Sequence, residues 1–488
     1  MRPGHDHPRR PHRLHAESAG ASPAVAAFNG RGYDLTELGG IVGYEVGFMG
    51  LIGLPIVAIH LAVRFSRHEE DAGRTELVTA GSVGRLAPLA AAAVTVALCL
   101  AGFVLVSGLG LLAAGLPAAG VWAYAVALGL FSASAAAVGL LAAEVSREAR
   151  MAYALGLGFV MVTFLARAVV DGRDWDLVWL SPSGWLAEVR PFGDVAGWPF
   201  AAYAALTGVA VLLAGAMAVR RDLYGGLVAA RSGPAQAAVA LGTPVGMAWR
   251  FVRAPVVGWL VGTSVWNAAF GGLSGEMEDL AASNPTLMEA LGVERPEHLV
   301  TSLALLLCAV GATAFGVQAA ARLAGEEAQG RLGLVLSTRV GRARLWLAWL
   351  AVVVAGAVAV LASSTLMLAV FAAWSTGDSG GLGDTLGGGL ALVAPVVLVV
   401  AVAAALQACW PRVTGLAWLL VAWVTVVGVL ADTLRLPDWS RDLSPVHAAG
   451  RVPIEDPNAT ALVVLTVLAV ALLAGGLLRF RRRELVAG

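Results

Sequence analysis

The sequence predicts an all-α polytopic membrane protein, and three observations carry that prediction. Apolar runs long enough to cross a ~30 Å hydrocarbon core recur from residue 41 to residue 480. Hydrophobic residues make up 58% of the chain and charged residues only 14%, where a soluble globule carries roughly 25% charged residues. The remaining charges fall in short segments that are arginine-rich and acidic by turns, the pattern that orients helices across a bilayer. No long polar segment is left to hold a soluble domain.

The apolar spans fall at 41–62, 88–113, 120–143, 151–170 and 201–220, then at 254–275, 299–321, 348–373, 388–408, 416–432 and 460–480. That is about 11 helices, five in a first half and six in a second. Residues 1–40 form a polar tail, 41–230 the first half, 231–253 a linker leading into an interfacial helix, and 254–488 the second half. The tail holds His5, His7, His12 and His15, read as a codon-biased tail before a metal site, and has no apolar core of a signal peptide.

Segments 63–87, 144–150, 220–253, 322–347 and the C-terminal cluster Arg479, Arg481, Arg482 and Arg483 are arginine-rich, which places them in the cytosol. The cluster is expected to anchor the last helix against anionic lipid. Segments 171–200, 276–298, 376–387 and 432–459 are acidic on balance and face outward. Arg167 lies near an outer helix end, where it is expected to snorkel. Asn267, Gln318 and Gln407 are placed to hydrogen-bond between helices. The tryptophans of 171–200 (Trp175, Trp179, Trp185 and Trp198) suit a membrane-interface belt.

One charged stretch occurs twice. Residues 69–85 read EEDAGRTELVTAGSVGR and residues 326–342 read EEAQGRLGLVLSTRVGR, nine identities in seventeen at an offset of 257. Arginines that only set topology need no fixed register, so a shared register points to a shared contact. Each copy suits a short helix bounded by turns, with Gly73 and Gly330 permitting the turn. Arg74, Arg85, Arg331 and Arg342 are expected to pair with carboxylates on a partner. Both copies fall on the cytosolic side, so the halves are related by a parallel repeat. Leu180-Ser181-Pro182 and Leu443-Ser444-Pro445 repeat likewise at an offset of 263, in outer loops.

These residues resemble the permease of an ABC-type exporter of the type-2 class, and more narrowly the actinobacterial fused permeases of the tetronasin or polyketide-antibiotic exporter group. That family carries E-E-x-x-G-R-x-E-L-L after the second helix of each half, as a coupling helix seated on the ATPase. The match falls on Glu69, Glu70, Gly73, Arg74, Glu76 and Leu77, and on Glu326, Glu327, Gly330, Arg331 and Leu334, with Gly333 standing where the later Glu is expected. The stretch W-L-S-P-S-G-W at 179–185 is similar to the family's outer loop, making Trp179, Ser181, Pro182, Trp185, Ser444 and Pro445 outer-gate candidates.

The resemblance implies two parallel-related type-2 ABC exporter transmembrane halves in the bacterial cell membrane. It also implies an ABC ATPase homodimer as partner and an amphipathic or lipophilic small molecule as substrate. At the 257 offset the counterpart of the helix at 254–275 would fall at about −3 to 18, running off the start of the sequence into the polar tail, so the first half shows five helices against six.

The chain has no lysine, so no phosphate loop ending in Gly-Lys can exist in it; ATP and magnesium are expected on the partner, with no cofactor, metal or catalytic residue here. Zero net charge points away from nucleic acid. Cys99, Cys308 and Cys409 lie in apolar runs with neither disulfide nor metal spacing, and are expected buried. Two other readings stay open. A major-facilitator-like secondary drug transporter also has parallel halves, but no carboxylate pattern at mid-span supports it. A polyprenol-dependent glycosyltransferase needs an acidic catalytic motif that the outer loops do not show.

Overall fold

The computed structural model describes residues 30–35, 37–220, 236, 238–272, 274–275, 297–431 and 436–484. The tail histidines, most of the acidic segment 276–298 and part of the linker lie outside them. Every regular element among the described residues is helical, and ten helices are long and apolar enough to cross a membrane. The chain divides into two units, Met1–Gly233 and Pro234–Gly488.

In the first unit, α1 (Leu38–Arg64) leads into two short helices, α2 (Arg67–Asp71) and α3 (Arg74–Thr79). The spans α4 (Ala87–Ala113), α5 (Ala118–Val145) and α6 (Ala149–Gly172) follow, then the one-turn α7 (Trp185–Glu188) and α8 (Trp198–Arg220). Helix α5 is the hub, packed by α1, α4, α6 and α8. It is less hydropathic than α4, yet far more of it is buried. Small residues explain this, because they let backbones approach where lipid tails compete for larger apolar groups. A Cβ on Gly129 would meet Val104 of α4 at 2.5 Å. Ser134 on the same helix bonds Thr207 of α8, Oγ to Oγ1, at 3.0 Å.

In the second unit, α9 (Pro244–Gly272) precedes α10 (Glu297–Ala328), the short α11 (Arg331–Leu336) and α12 (Arg342–Thr376). Then come α13 (Leu382–Ala391), α14 (Val393–Cys409), α15 (Ala417–Leu430), the one-turn α16 (Asp438–Arg441) and α17 (Pro445–Ala448), and α18 (Ala459–Arg482). Helix α10 is the hub here, touching α9, α12, α14 and α15. Gly271 lets α9 cross α12 closely, since a Cβ there would meet the Leu368 carbonyl oxygen at 2.5 Å.

Four expectations change. The segment 254–275 is not a span set off from an interfacial helix; α9 is one helix from Pro244, and its Asn267, tryptophans and glycines keep it off the ten most apolar candidates. Arg167 does not snorkel: it is 2% exposed, with its guanidinium 4.7 Å from the Phe164 ring centre in the same pocket as Asp171, which is also buried. Gln318 and Gln407 do accept bonds across helices, from the indoles of Trp259 (2.9 Å) and Trp346 (3.1 Å), whereas Asn267 donates to the Thr263 carbonyl of its own helix. Cys308 is buried, but Cys99 is exposed on the outer face of α4.

Candidate functional site

The two copies of the repeat fold alike. In each, Glu-Glu closes a helix, a glycine in the left-handed region reverses the chain, and a six-residue helix follows. Gly73 has φ 74° and Gly330 φ 71°; the helices after them are α3 and α11, again offset by 257. The turn needs glycine because other L-residues pay about 1–2 kcal/mol for that conformation. A Cβ on Gly330 would meet nothing within 4 Å, so the cost of a side chain there is purely conformational. Gly330→Ala is expected to lower the thermal midpoint measurably and Gly330→Asn less, because Asn tolerates the left-handed region.

The first glutamate of each pair clamps the arginine across the turn. Arg331 donates from Nε and Nη2 to both Glu326 oxygens, at 2.6 and 2.8 Å. Arg74 does the same to Glu69, with Nη2 to Oε1 at 2.7 Å. The bonds to these carboxylates hold both guanidinium groups above their ordinary value. Arg74 and Arg331 therefore do not present bare charge to a partner; they lock the turn, as a bidentate pair does. Arg85 donates to the Val219 carbonyl at 3.1 Å and Arg342 to the Arg483 carbonyl at 2.6 Å, so both are committed within their own unit.

The second glutamate is buried, at 4% exposure for Glu70 and 2% for Glu327. Each faces a buried arginine, and the two arginines come from different places. Glu70 pairs with Arg67 one turn earlier, at 3.0 Å, and Arg67 also donates from Nε to the Ala143 carbonyl at the end of α5, at 2.7 Å. Glu327 is gripped by Arg483 from the end of α18, Nη2 to Oε2 at 2.6 Å. Arg483 therefore leaves the exposed cluster that Arg481 and Arg482 keep, so the expected lipid anchor loses one member to the core. Arg67 was legible as an i,i+3 partner of Glu70; nothing local marked Arg483, 156 residues from its glutamate. Asp71 completes the first copy by accepting from the Ala149 N–H at the start of α6, at 2.8 Å.

What each short helix leaves outside is apolar. Leu77 is 78% exposed and Leu334 72%, at matching positions of the repeat. Glu76 and Gly333, the unmatched pair, are both exposed. The second copy is seated more firmly, because Leu332 is buried in the core while α3 has no buried residue.

At the other end of the first unit, Ser181 and Ser183 both donate to the Thr163 carbonyl of α6, at 2.6 and 2.8 Å. The Pro182 carbonyl accepts from the Tyr203 hydroxyl at 2.8 Å. Trp185 donates to the Trp179 carbonyl at 3.1 Å, while Trp179 itself is 62% exposed. Tyr33 donates to Glu188 at 2.6 Å and lies under the Arg190 guanidinium; burial and that bond push its phenol up. In the second unit Ser444 caps α17 and Pro445 is buried behind it. The serines and prolines are thus fixing points of their loops, and the exposed tryptophans are the parts left for the surroundings.

A family model described as the C-terminal domain of the multidrug efflux system permease Rv1217c matches residues 241–481. The multidrug efflux system permease protein Rv1217c of Mycobacterium tuberculosis is 30% identical over 473 residues, covering 95% of this chain and 85% of its own length. The chain belongs to this family of efflux permeases. With ten apolar helices among the described residues, the permease is a multi-pass bacterial membrane protein, and its family places it among proteins that move molecules across the membrane.

Proposed function

We propose that this permease is the membrane subunit of an ATP-driven exporter of the type-2 class, similar to the tetronasin and polyketide-antibiotic exporters. It would move amphipathic or lipophilic drug-like compounds out of the cell. The observation that carries the reading is the pair of glycine-hinged short helices, built alike in both units and each offering an exposed leucine. A topology signal needs neither a fixed fold nor a matched apolar tip; a docking element for a two-fold symmetric partner needs both. An ABC ATPase homodimer is such a partner, and the absence of any lysine leaves the chain without a phosphate loop of its own. Closure of the ATPase dimer would press on α2–α3 and on α10–α11. Each hinge is locked by an arginine clamp and rooted in a hub helix, so the push reaches the spans and shifts the population between inward- and outward-open states. The permease itself breaks no bond.

The test is efflux from cells expressing the permease with an ABC ATPase partner. Efflux is expected to stop when ATP is depleted with the proton gradient intact, and to survive collapse of the gradient with ATP present. The reverse result would sink the ATP-driven reading in favour of a secondary transporter.

A further inference from the structure

In the second unit a cavity of about 210 Å³ lies where the loop between α15 and α18 meets the spans. Leu305 and Leu306 of α10, Leu392 at the α13–α14 junction and Val427 of α15 give it buried apolar walls. Its polar lining comes mostly from the loop: Arg441 of α16, His447 of α17 and Arg451 just beyond. Gly450, at φ 98°, reverses the chain after α17 and brings Arg451 round to the cavity that His447 also lines. Arg441 is scaffold, donating from Nε to the Leu436 carbonyl at 2.8 Å and from Nη2 to the Ala431 carbonyl at 3.3 Å. The Arg451 guanidinium and the His447 ring have no hydrogen-bond or ion-pair partner among the described residues; Glu455 accepts only from the Arg451 backbone N–H, at 3.4 Å. No carboxylate lines the cavity among the described residues, and Asp438, Asp442, Glu455 and Asp456 of the same loop are exposed. The outer-loop repeat does not call for these groups, because at the 263 offset Gly184 and Glu188 stand in the places of His447 and Arg451.

We propose that this cavity binds the phosphate headgroup of an anionic lipid, with the apolar walls taking the start of its chains. A guanidinium matches a phosphate in charge and in its planar fork of donors, and basic pockets between spans hold lipid headgroups by that chemistry. The depth agrees, since Trp439 of the same loop is 70% exposed and tryptophan favours the membrane interface. Size argues against a drug-sized cargo, whose sites run to about 300–1,000 Å³. A free phosphate ion shares the recognition chemistry but leaves the leucine and valine walls uncovered. The site does not depend on what drives the permease.

The test gives the purified, delipidated full-length permease phosphatidylglycerol, phosphatidylcholine or inorganic phosphate. Bound lipid is counted by native mass spectrometry and the thermal midpoint is read alongside. The unaltered permease is expected to retain one more phosphatidylglycerol than Arg451→Glu, which copies the residue at the first unit's matching position. It should hold that lipid at least tenfold more tightly than phosphatidylcholine, whose choline offsets the same phosphate. His447→Gln should weaken the same lipid and decides the matter if Arg451→Glu fails to fold. Equal phosphatidylglycerol retention by the unaltered permease and the folded variants, or no preference over phosphatidylcholine, overturns the proposal. Inorganic phosphate that raises the midpoint in a way Arg451→Glu abolishes, with no difference in lipid count, overturns the lipid assignment in favour of the free ion. Loss of ATP dependence in efflux would sink the exporter reading and leave this site standing.

Discussion

Glu327→Ala is expected to be among the most destabilising single changes in this permease, and more so than Glu70→Ala. Both glutamates are buried and both face a buried arginine. Removing one partner of such a pair typically costs about 3–5 kcal/mol, because the other charge is left in a low-dielectric site. The arginines differ in what they keep. Arg67 retains its bond to the Ala143 carbonyl at 2.7 Å, whereas Arg483 keeps the Phe480 ring 5.1 Å away and carbonyl contacts to Glu484 at 3.4 Å and Gln407 at 3.5 Å, marginal by hydrogen-bond geometry. Thermal unfolding followed by tryptophan fluorescence should show the larger drop for Glu327→Ala. The double variant Glu327→Leu with Arg483→Met should recover much of it, since a buried ion pair replaced by packed apolar groups is often neutral or stabilising. Equal drops for the two glutamates, or no recovery in the double variant, would overturn this account of Arg483.

That result also fixes what the repeat means. In the sequence, E-E-x-x-G-R looks like a set of charges offered to a partner. In the structure it is mostly scaffold: one Glu clamps the Arg, the other roots the element in the bundle, and the glycine sets the turn. Period and register were legible because they are properties of the chain alone, as were the spans, whose apolar runs must match the bilayer. Which charge faces outward was not legible, because burial depends on residues brought in from far along the sequence, Ala143 for one copy and Arg483 for the other. Arg167 was misplaced for a different reason: Phe164 and Asp171 are its near neighbours on one face of α6 and were legible as such, but only the fold shows that this face is buried. The hub helices were hidden too. Hydropathy ranks α4 above α5, but packing chose the helix with small residues.

With the charges spoken for, the docking we propose falls to the leucines. Leu77 and Leu334 are the most exposed large apolar side chains of the two short helices, and burying one leucine contributes about 1.5–3 kcal/mol. Leu77→Asp and Leu334→Asp should each weaken association with the proposed ATPase about tenfold or more, at 1.4 kcal/mol per factor of ten, and the pair about a hundredfold if the two contacts are independent and their effects add. Neither variant should move the thermal midpoint by more than a degree or two, because neither side chain is packed in the permease. Stability and coupling thus separate: buried glutamates report on the fold, exposed leucines on the partner. The two single variants should also differ. Leu332 pins α11 into the core and α3 has no equivalent, so Leu334 is offered from a pre-set helix and Leu77 from a looser one that must be ordered on docking. Losing Leu334 should cost more. A double Leu→Asp permease that still co-purifies stoichiometrically with the ATPase would remove these helices as the contact.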